Sequence, residues 1–235
     1  MRGLLLSHRR LFQLLALIIT VTVTVALVWL MTQKNSPLYQ PIKSIQLISD
    51  TNQVSRKEID EAVAPYLGLS FWKIPLHKIQ ADLTRLDWIK SAEVKRQWPN
   101  LLYISFTEQK PVARWNESGL INTLGQVFFP KSITEFENLV QLQGELDDSS
   151  AILSQLVFLQ KQFDQLDMLV AELSYYDQVW RISVLDGPEI VVDSELFEKK
   201  IVRFVRAYPK VDLELRKSAR IYDLRYSNGF IIANN

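Results

Sequence analysis

The sequence predicts an α+β protein held by one N-terminal transmembrane helix, with a small β-α-α-β-β module followed by a mainly antiparallel β domain that carries two helices. Three observations predict it. The run Leu11 to Met31 contains no Asp, Glu, Lys, Arg, Asn or Pro. Two amphipathic helical stretches sit between strand patterns in residues 41–110. Beyond residue 110, short apolar runs are broken by turn formers, and only two stretches keep helical spacing.

The apolar run comes first. Its 21 residues make a helix of roughly 31 Å, enough for a hydrocarbon core of about 30 Å. Leu11, Leu17, Val25, Trp29 and Met31 stand for the anchor. Thr20, Thr22 and Thr24 can return their hydroxyl hydrogen bonds to helix carbonyls. Arg2, Arg9 and Arg10 precede the run without an acidic residue, and only Lys34 and Lys43 follow closely, so residues 1–10 are expected in the cytoplasm. The chain is then a single-pass type II protein of the inner membrane, with its bulk in the periplasm. Thr24 and Ala26 resemble a signal-peptide cleavage site, but Leu27 to Met31 continue the apolar run past the length such peptides use.

Residues 32–40, with Asn35, Ser36 and Pro37, read as a polar linker. Ile42, Ile45, Leu47 and Ile48 suggest a strand, and Ser49-Asp50-Thr51-Asn52 a turn. Ser55 and Glu58 form a capping-box pattern before Ile59, Ala62, Val63, Tyr66 and Leu67 at helical spacing. Pro75 opens a second helix with Leu76, Ile79, Leu83 and Leu86 on one stripe. Val94, Arg96 and Trp98 alternate with Glu93, Lys95 and Gln97, and after Pro99-Asn100 Leu102, Ile104 and Phe106 alternate with Tyr103, Ser105 and Thr107, which predicts a hairpin. Trp98 is expected to seal a core, as are Trp88, Trp115 and Trp180. This element order over 41–110 resembles a POTRA domain, a module that docks peptides and partner domains.

In residues 111–235, turn signals recur at Asn116-Glu117-Ser118-Gly119, Thr123-Leu124-Gly125 and Asp186-Gly187-Pro188. Helical spacing appears at Leu153, Leu156, Leu159, Phe163 and Leu166, and again at Phe197, Ile201, Phe204, Val205 and Tyr208 before Pro209. The chain closes on an apolar hairpin-like segment, Ile221 to Tyr226 and Phe230 to Ala233, joined through Ser227-Asn228-Gly229. No Lys, Pro or later element blunts that last strand, so a bare sheet edge is expected there.

Composition narrows the function. The formal charge is +1, unlike the strongly basic balance of phosphate-tracking domains, so nucleic acid is not an expected partner. There is no cysteine, which excludes disulfides and thiolate metal sites. His8 and His77 share no ligand spacing. Asp147-Asp148 and Glu135 with Glu137 lie in polar stretches and read as solvated loops rather than catalytic pairs. The seven glycines form neither a phosphate loop nor a Gly-x-Ser-x-Gly elbow, and no Ser-x-x-Lys motif of a penicillin-binding protein is expected. Neither catalytic, cofactor nor metal residues are assigned, and no small-molecule substrate is expected.

Trp88-Ile89-Lys90, Val94 to Pro99 and Pro111 to Asn116 resemble the FtsQ/DivIB family, as do Arg203-Phe204-Val205, Tyr208-Pro209 and Tyr222 to Tyr226 with Gly229. The resemblance implies a non-enzymatic divisome scaffold at the septum, linking early cytoplasmic and late periplasmic division proteins. Its implied partners are FtsB and FtsL, captured by strand addition at Arg225, Tyr226, Ser227, Asn228, Gly229, Phe230, Ile231, Ile232 and Ala233. Tyr226 and Phe230 are the candidate anchors, and Arg225 the candidate ion-pair donor. The other readings are an envelope protein that escorts polypeptides to an outer-membrane pore, though too few residues follow for a barrel, and a cell-wall hydrolase.

Overall fold

The computed structural model describes residues 2–32, 41–49 and 52–234, with side chains described from Arg10 to Met31 and in the two later stretches. The linker expected over 32–40 and Asp50-Thr51 of the expected turn lie outside this range, apart from Thr32, which ends the first helix. The chain divides into two compact units, Met1–Glu108 and Gln109–Asn235.

The first helix, α1, runs Arg2–Thr32. Its stretch Arg10–Met31 is long and apolar enough to cross a membrane, and none of it is buried by protein. Leu11, Leu17, Val25, Trp29 and Met31 are all exposed on it. Thr20 and Thr22 donate to the carbonyls of Ala16 and Ile18 at 2.6 and 2.7 Å, and Thr24 donates to that of Thr20, so the hydroxyls of these three threonines are all paired.

The soluble part of the first unit has the expected β-α-α-β-β order: β1 Ser44–Leu47, α2 Arg56–Val63, α3 Leu76–Leu83, β2 Ile89–Gln97 and β3 Leu101–Glu108. β3 is central, parallel to β1 and antiparallel to β2. The capping box forms in both directions between Ser55 and Glu58. Ile59, Val63, Ile79 and Leu83 on the helices bury against Leu102 and Ile104 of β3 and Val94 of β2. Glu108, at the end of β3, accepts from the main-chain amides of Asn52, Gln53 and Val54 at 3.0, 3.1 and 3.0 Å, which ties the approach to α2 onto the sheet.

Trp98 departs from expectation, since it is 61% exposed. Along β2 the buried positions end at Val94, and residues 95–98 run past the helical layer. Alternation persists in the sequence there, but the core it would face has ended. Trp115 and Trp180 are buried as expected, and Trp88 packs at the edge of the first core.

The second unit is a nine-stranded sheet, β12-β11-β10-β9-β8-β7-β4-β5-β6. The strands are β4 Pro111–Trp115, β5 Gly119–Asn122, β6 Val127–Phe128, β7 Gln141–Gln143, β8 Val170–Tyr176, β9 Val179–Val184, β10 Glu189–Asp193, β11 Ile221–Asp223 and β12 Ile231–Ala233. The helices are α4 Ser149–Phe163, α5 Phe197–Ala207 and α6 Leu213–Ser218. Five strand pairs are antiparallel, and three are parallel: β4 with β7, β7 with β8, and β10 with β11. A parallel neighbour needs a crossover. α4 provides one between β7 and β8, α5 with α6 provides one between β10 and β11, and the stretch containing β5 and β6 lies between β4 and β7.

Ile152, Leu156, Leu159 and Phe163 of α4 are buried, with Leu153 at the margin, so the stripe lies one position from where Leu153 would centre it. α4 and α5 meet through Phe163 and Phe204, ring centroids 6.4 Å apart. Gly125 is required where the β5–β6 turn meets α4: its φ is +77°, and a Cβ there would lie 2.8 Å from Ser150 Cα. α6 is an additional helix beyond the two expected. Asp212 starts it by accepting from the amide of Glu214 at 2.9 Å. No buried residue lies on α6, so no apolar periodicity announces it.

Candidate functional site

The C-terminal hairpin is built from the aromatic core outward. Tyr222 on β11 is fully buried. Its ring meets Phe204 at 5.2 Å, Tyr208 at 5.6 Å and Phe230 at 5.6 Å, with steep interplanar angles throughout. Phe230 also meets Phe204 at 5.4 Å. These four rings fix α5, β11 and the residue before β12 as one block. The Tyr222 hydroxyl is buried without a hydrogen-bond partner, and burial pushes its phenol above the ordinary tyrosine range.

β12 pairs antiparallel with β11, Ile221 opposite Ala233, Tyr222 opposite Ile232 and Asp223 opposite Ile231. It ends the sheet, so among the described residues no strand pairs with its outer flank. The opposite edge is β6, only two residues long. On β12, Ile231 is 50% exposed, while Ile232 packs against the core and Ala233 is half-buried.

The connection from Leu224 to Phe230 is longer than the Ser227-Asn228-Gly229 turn expected, because β11 stops at Asp223. Leu224 leaves by donating its amide to the Val191 carbonyl of β10 at 2.7 Å. Helix α5 holds the rest. Arg203 donates to the Ser227 carbonyl, and the Lys200 ammonium donates to the Arg225 carbonyl at 3.2 Å. Lys200 is itself buried and reaches both oxygens of Asp193 at 2.7 Å. Asn228 is exposed, and Gly229 is half-buried with open space where a Cβ would stand.

The three side chains expected to matter most have different situations. Tyr226 is 51% exposed. Phe230 is committed to the aromatic block. Arg225 closes a two-pronged pair on Asp223, Nε to Oδ1 at 2.9 Å and Nη2 to Oδ2 at 2.7 Å. That pair holds the Asp223 carboxyl below its usual range and the guanidinium above its own. A cleft of about 290 Å³ lies beside it, lined in part by Glu195, Lys199, Arg203 and Ser227.

Sequence reasoning passed over two features. Lys200 is one; it stands in the run Glu198-Lys199-Lys200, where nothing local marks it as the buried charge of α5. The other corrects the expectation that no Ser-x-x-Lys motif is present: Ser70-Phe71-Trp72-Lys73 has that spacing of an acylating serine. Here the Ser70 hydroxyl is buried without a hydrogen-bond partner while Lys73 is exposed, so the two do not form a nucleophile–base pair. Among the described residues no group of three or more His, Cys, Asp or Glu could hold a metal ion.

Residues 40–109 match the family described as POTRA domain, FtsQ-type, and residues 113–225 match Cell division protein FtsQ/DivIB, C-terminal. The chain is 30% identical over 234 residues to Cell division protein FtsQ of Coxiella burnetii, covering 96% of this chain and 95% of that one. It is 28% identical over 196 residues to the protein of the same name from Cellvibrio japonicus, covering 83% of this chain and 61% of the relative. The Xanthomonas campestris protein of that name is 27% identical over 193 residues, covering 82% and 69% respectively.

Proposed function

This chain belongs to the FtsQ/DivIB family of cell division proteins, and from that premise we propose that it is a divisome scaffold that acts by binding and not by chemistry. α1 anchors it in the inner membrane with its N-terminus in the cytoplasm. Both folded units stand in the periplasm at the division septum. The β12 edge recruits FtsB together with FtsL by accepting a further strand.

The observation that carries this reading is the end of the second sheet, where β12 has a partner strand on one side only among the described residues. Main-chain bonds of strand addition contribute about 1 kcal/mol each net, so side chains must add to them. Ile231 and Tyr226 are the exposed apolar groups at the edge, and both suit the role of anchor. Phe230 acts one step back, by holding β12 in place. A partner carboxylate approaching the cleft meets Lys199 and Arg203, because Arg225 is already paired with Asp223.

The test uses the full-length protein. Tyr226→Ala and Ile231→Asp should each reduce co-purification of FtsB and FtsL at least several-fold and leave the thermal unfolding midpoint unchanged. Undiminished capture by folded variants would remove the edge from consideration. Phe230→Glu is unsuitable alone, since it would set a charge against the Phe204 and Tyr222 rings that Phe230 packs on.

A further inference from the structure

We propose that segment 67–73 of the first unit docks onto the anionic surface of the bilayer that α1 crosses, as a second, non-covalent membrane contact. Leu67, Leu69 and Trp72 are 42, 41 and 57% exposed within seven residues, while Phe71 between them is buried. Phe71 holds the Trp72 ring edge-on at 5.2 Å. The leucines are set out by Gly68, whose φ of +85° permits the turn.

The segment is fastened to the point where the chain arrives from the membrane. Ile42 donates to the Leu69 carbonyl and Gly68 donates to the Ile42 carbonyl, both at 3.0 Å, and Pro41 bridges Ser70. The amides of Lys73 and Ile74 both return to the Ser70 carbonyl, at 3.0 and 3.1 Å. The apolar groups are thus displayed on fixed backbone. From Thr32, the end of α1, to Pro41 the chain can reach at most about 32 Å even if fully extended.

Charge identifies the occupant. Residues 62–81 contain no Asp or Glu, but they hold Lys73, His77 and Lys78, and Lys43 lies on the arriving segment. An exposed Trp with leucines and flanking lysines, without acidic residues, is the composition that settles in the headgroup region of anionic phospholipid.

The absence of native cysteine allows a single probe. The full chain carrying Leu69→Cys, labelled with an environment-sensitive fluorophore, is placed in nanodiscs of phosphatidylethanolamine and phosphatidylglycerol. A label at Lys95→Cys on exposed β2 is the reference. Quenching by acrylamide should be several-fold weaker at position 69 than at 95, and nitroxides carried at lipid headgroup depth should quench 69 only. Adding Leu67→Ser and Trp72→Ser should restore acrylamide quenching at 69 to the reference level, with the thermal midpoint unchanged. High salt or an all-phosphatidylcholine disc should raise it part of the way. Equal acrylamide quenching at both positions overturns the proposal. So does shielding without nitroxide quenching, which would mean that another protein or a second copy covers the segment.

Discussion

Phe230 and Tyr226 are four residues apart in a segment whose sequence treats them alike, yet one ring is locked among Phe204 and Tyr222 and the other is half exposed. The difference arises from α5, whose Phe204 builds the aromatic block together with Tyr208 just beyond its end, and no local pattern around Phe230 reports it. The central residue of that block, Tyr222, carries a testable cost. Its hydroxyl is buried without a partner, so Tyr222→Phe should be neutral or stabilising by up to about 1 kcal/mol in denaturant unfolding. A pH effect accompanies this. The folded phenol titrates above the ordinary value, so the unfolded chain loses its proton first as pH rises past about 10. The stability held by the neutral phenol is complete below that pH and is lost as pH climbs through the raised folded value. The Phe variant should therefore show a shallower loss of stability on the alkaline side. An equal slope, or a loss of several kcal/mol on substitution, would mean that the hydroxyl has a partner.

At the scale of elements, the helices with a buried stripe and the strands of the first unit were legible in the sequence. The strands of residues 111–193 were legible only together, as a mainly antiparallel sheet, and elements without a buried face were not legible. The first unit is the clear case: its capping box, its two apolar stripes and its hairpin alternation each correspond to an element. The exceptions share a cause. α6 has no buried residue to create periodicity, and Trp98 continues an alternation beyond the core that would give it meaning. Shortness has the same effect at the C-terminal hairpin, where three-residue strands sit inside a longer apolar string, and the turn formers mark only part of the connection. Glu108 shows a tie that periodicity could not reveal, because it joins residues more than fifty positions apart. Its carboxylate receives three main-chain amides ahead of α2. Glu108→Ala should cost about 2 kcal/mol in unfolding measurements, the size expected when hydrogen bonds to a charged group are removed. Hydrogen exchange should quicken at Asn52 to Val54 and in the first turn of α2, with the strands of the second unit unaffected. A change below a few tenths of a kcal/mol would show that solvent replaces the carboxylate freely.

For the whole molecule, the proposed topology rests on the charges that flank the apolar helix. In the proposed orientation the three arginines before the apolar run stay on the cytoplasmic side, as the positive-inside bias favours. In that orientation the units beyond it would reach an oxidising compartment, where they would need no disulfide, because each already has a closed apolar core, around Ile59, Ile79 and Leu102 in one and around Trp115, Phe204 and Tyr222 in the other. The surface reaching that compartment is close to neutral, since the 27 basic residues less those three arginines face 26 acidic ones. Long-range charge steering of partners is correspondingly weak. Recognition must then rest on short-range features, such as an exposed strand edge. Orientation decides whether that edge is usable at all. Alkaline phosphatase, which needs its own disulfides, should be active when fused after Asn235. Changing Arg2, Arg9 and Arg10 together to Glu should lower that activity several-fold at equal expression, as part of the population inserts the other way. An inactive fusion to the unaltered chain, or activity indifferent to the three arginines, would place the folded units in the cytoplasm or assign orientation to something other than flanking charge.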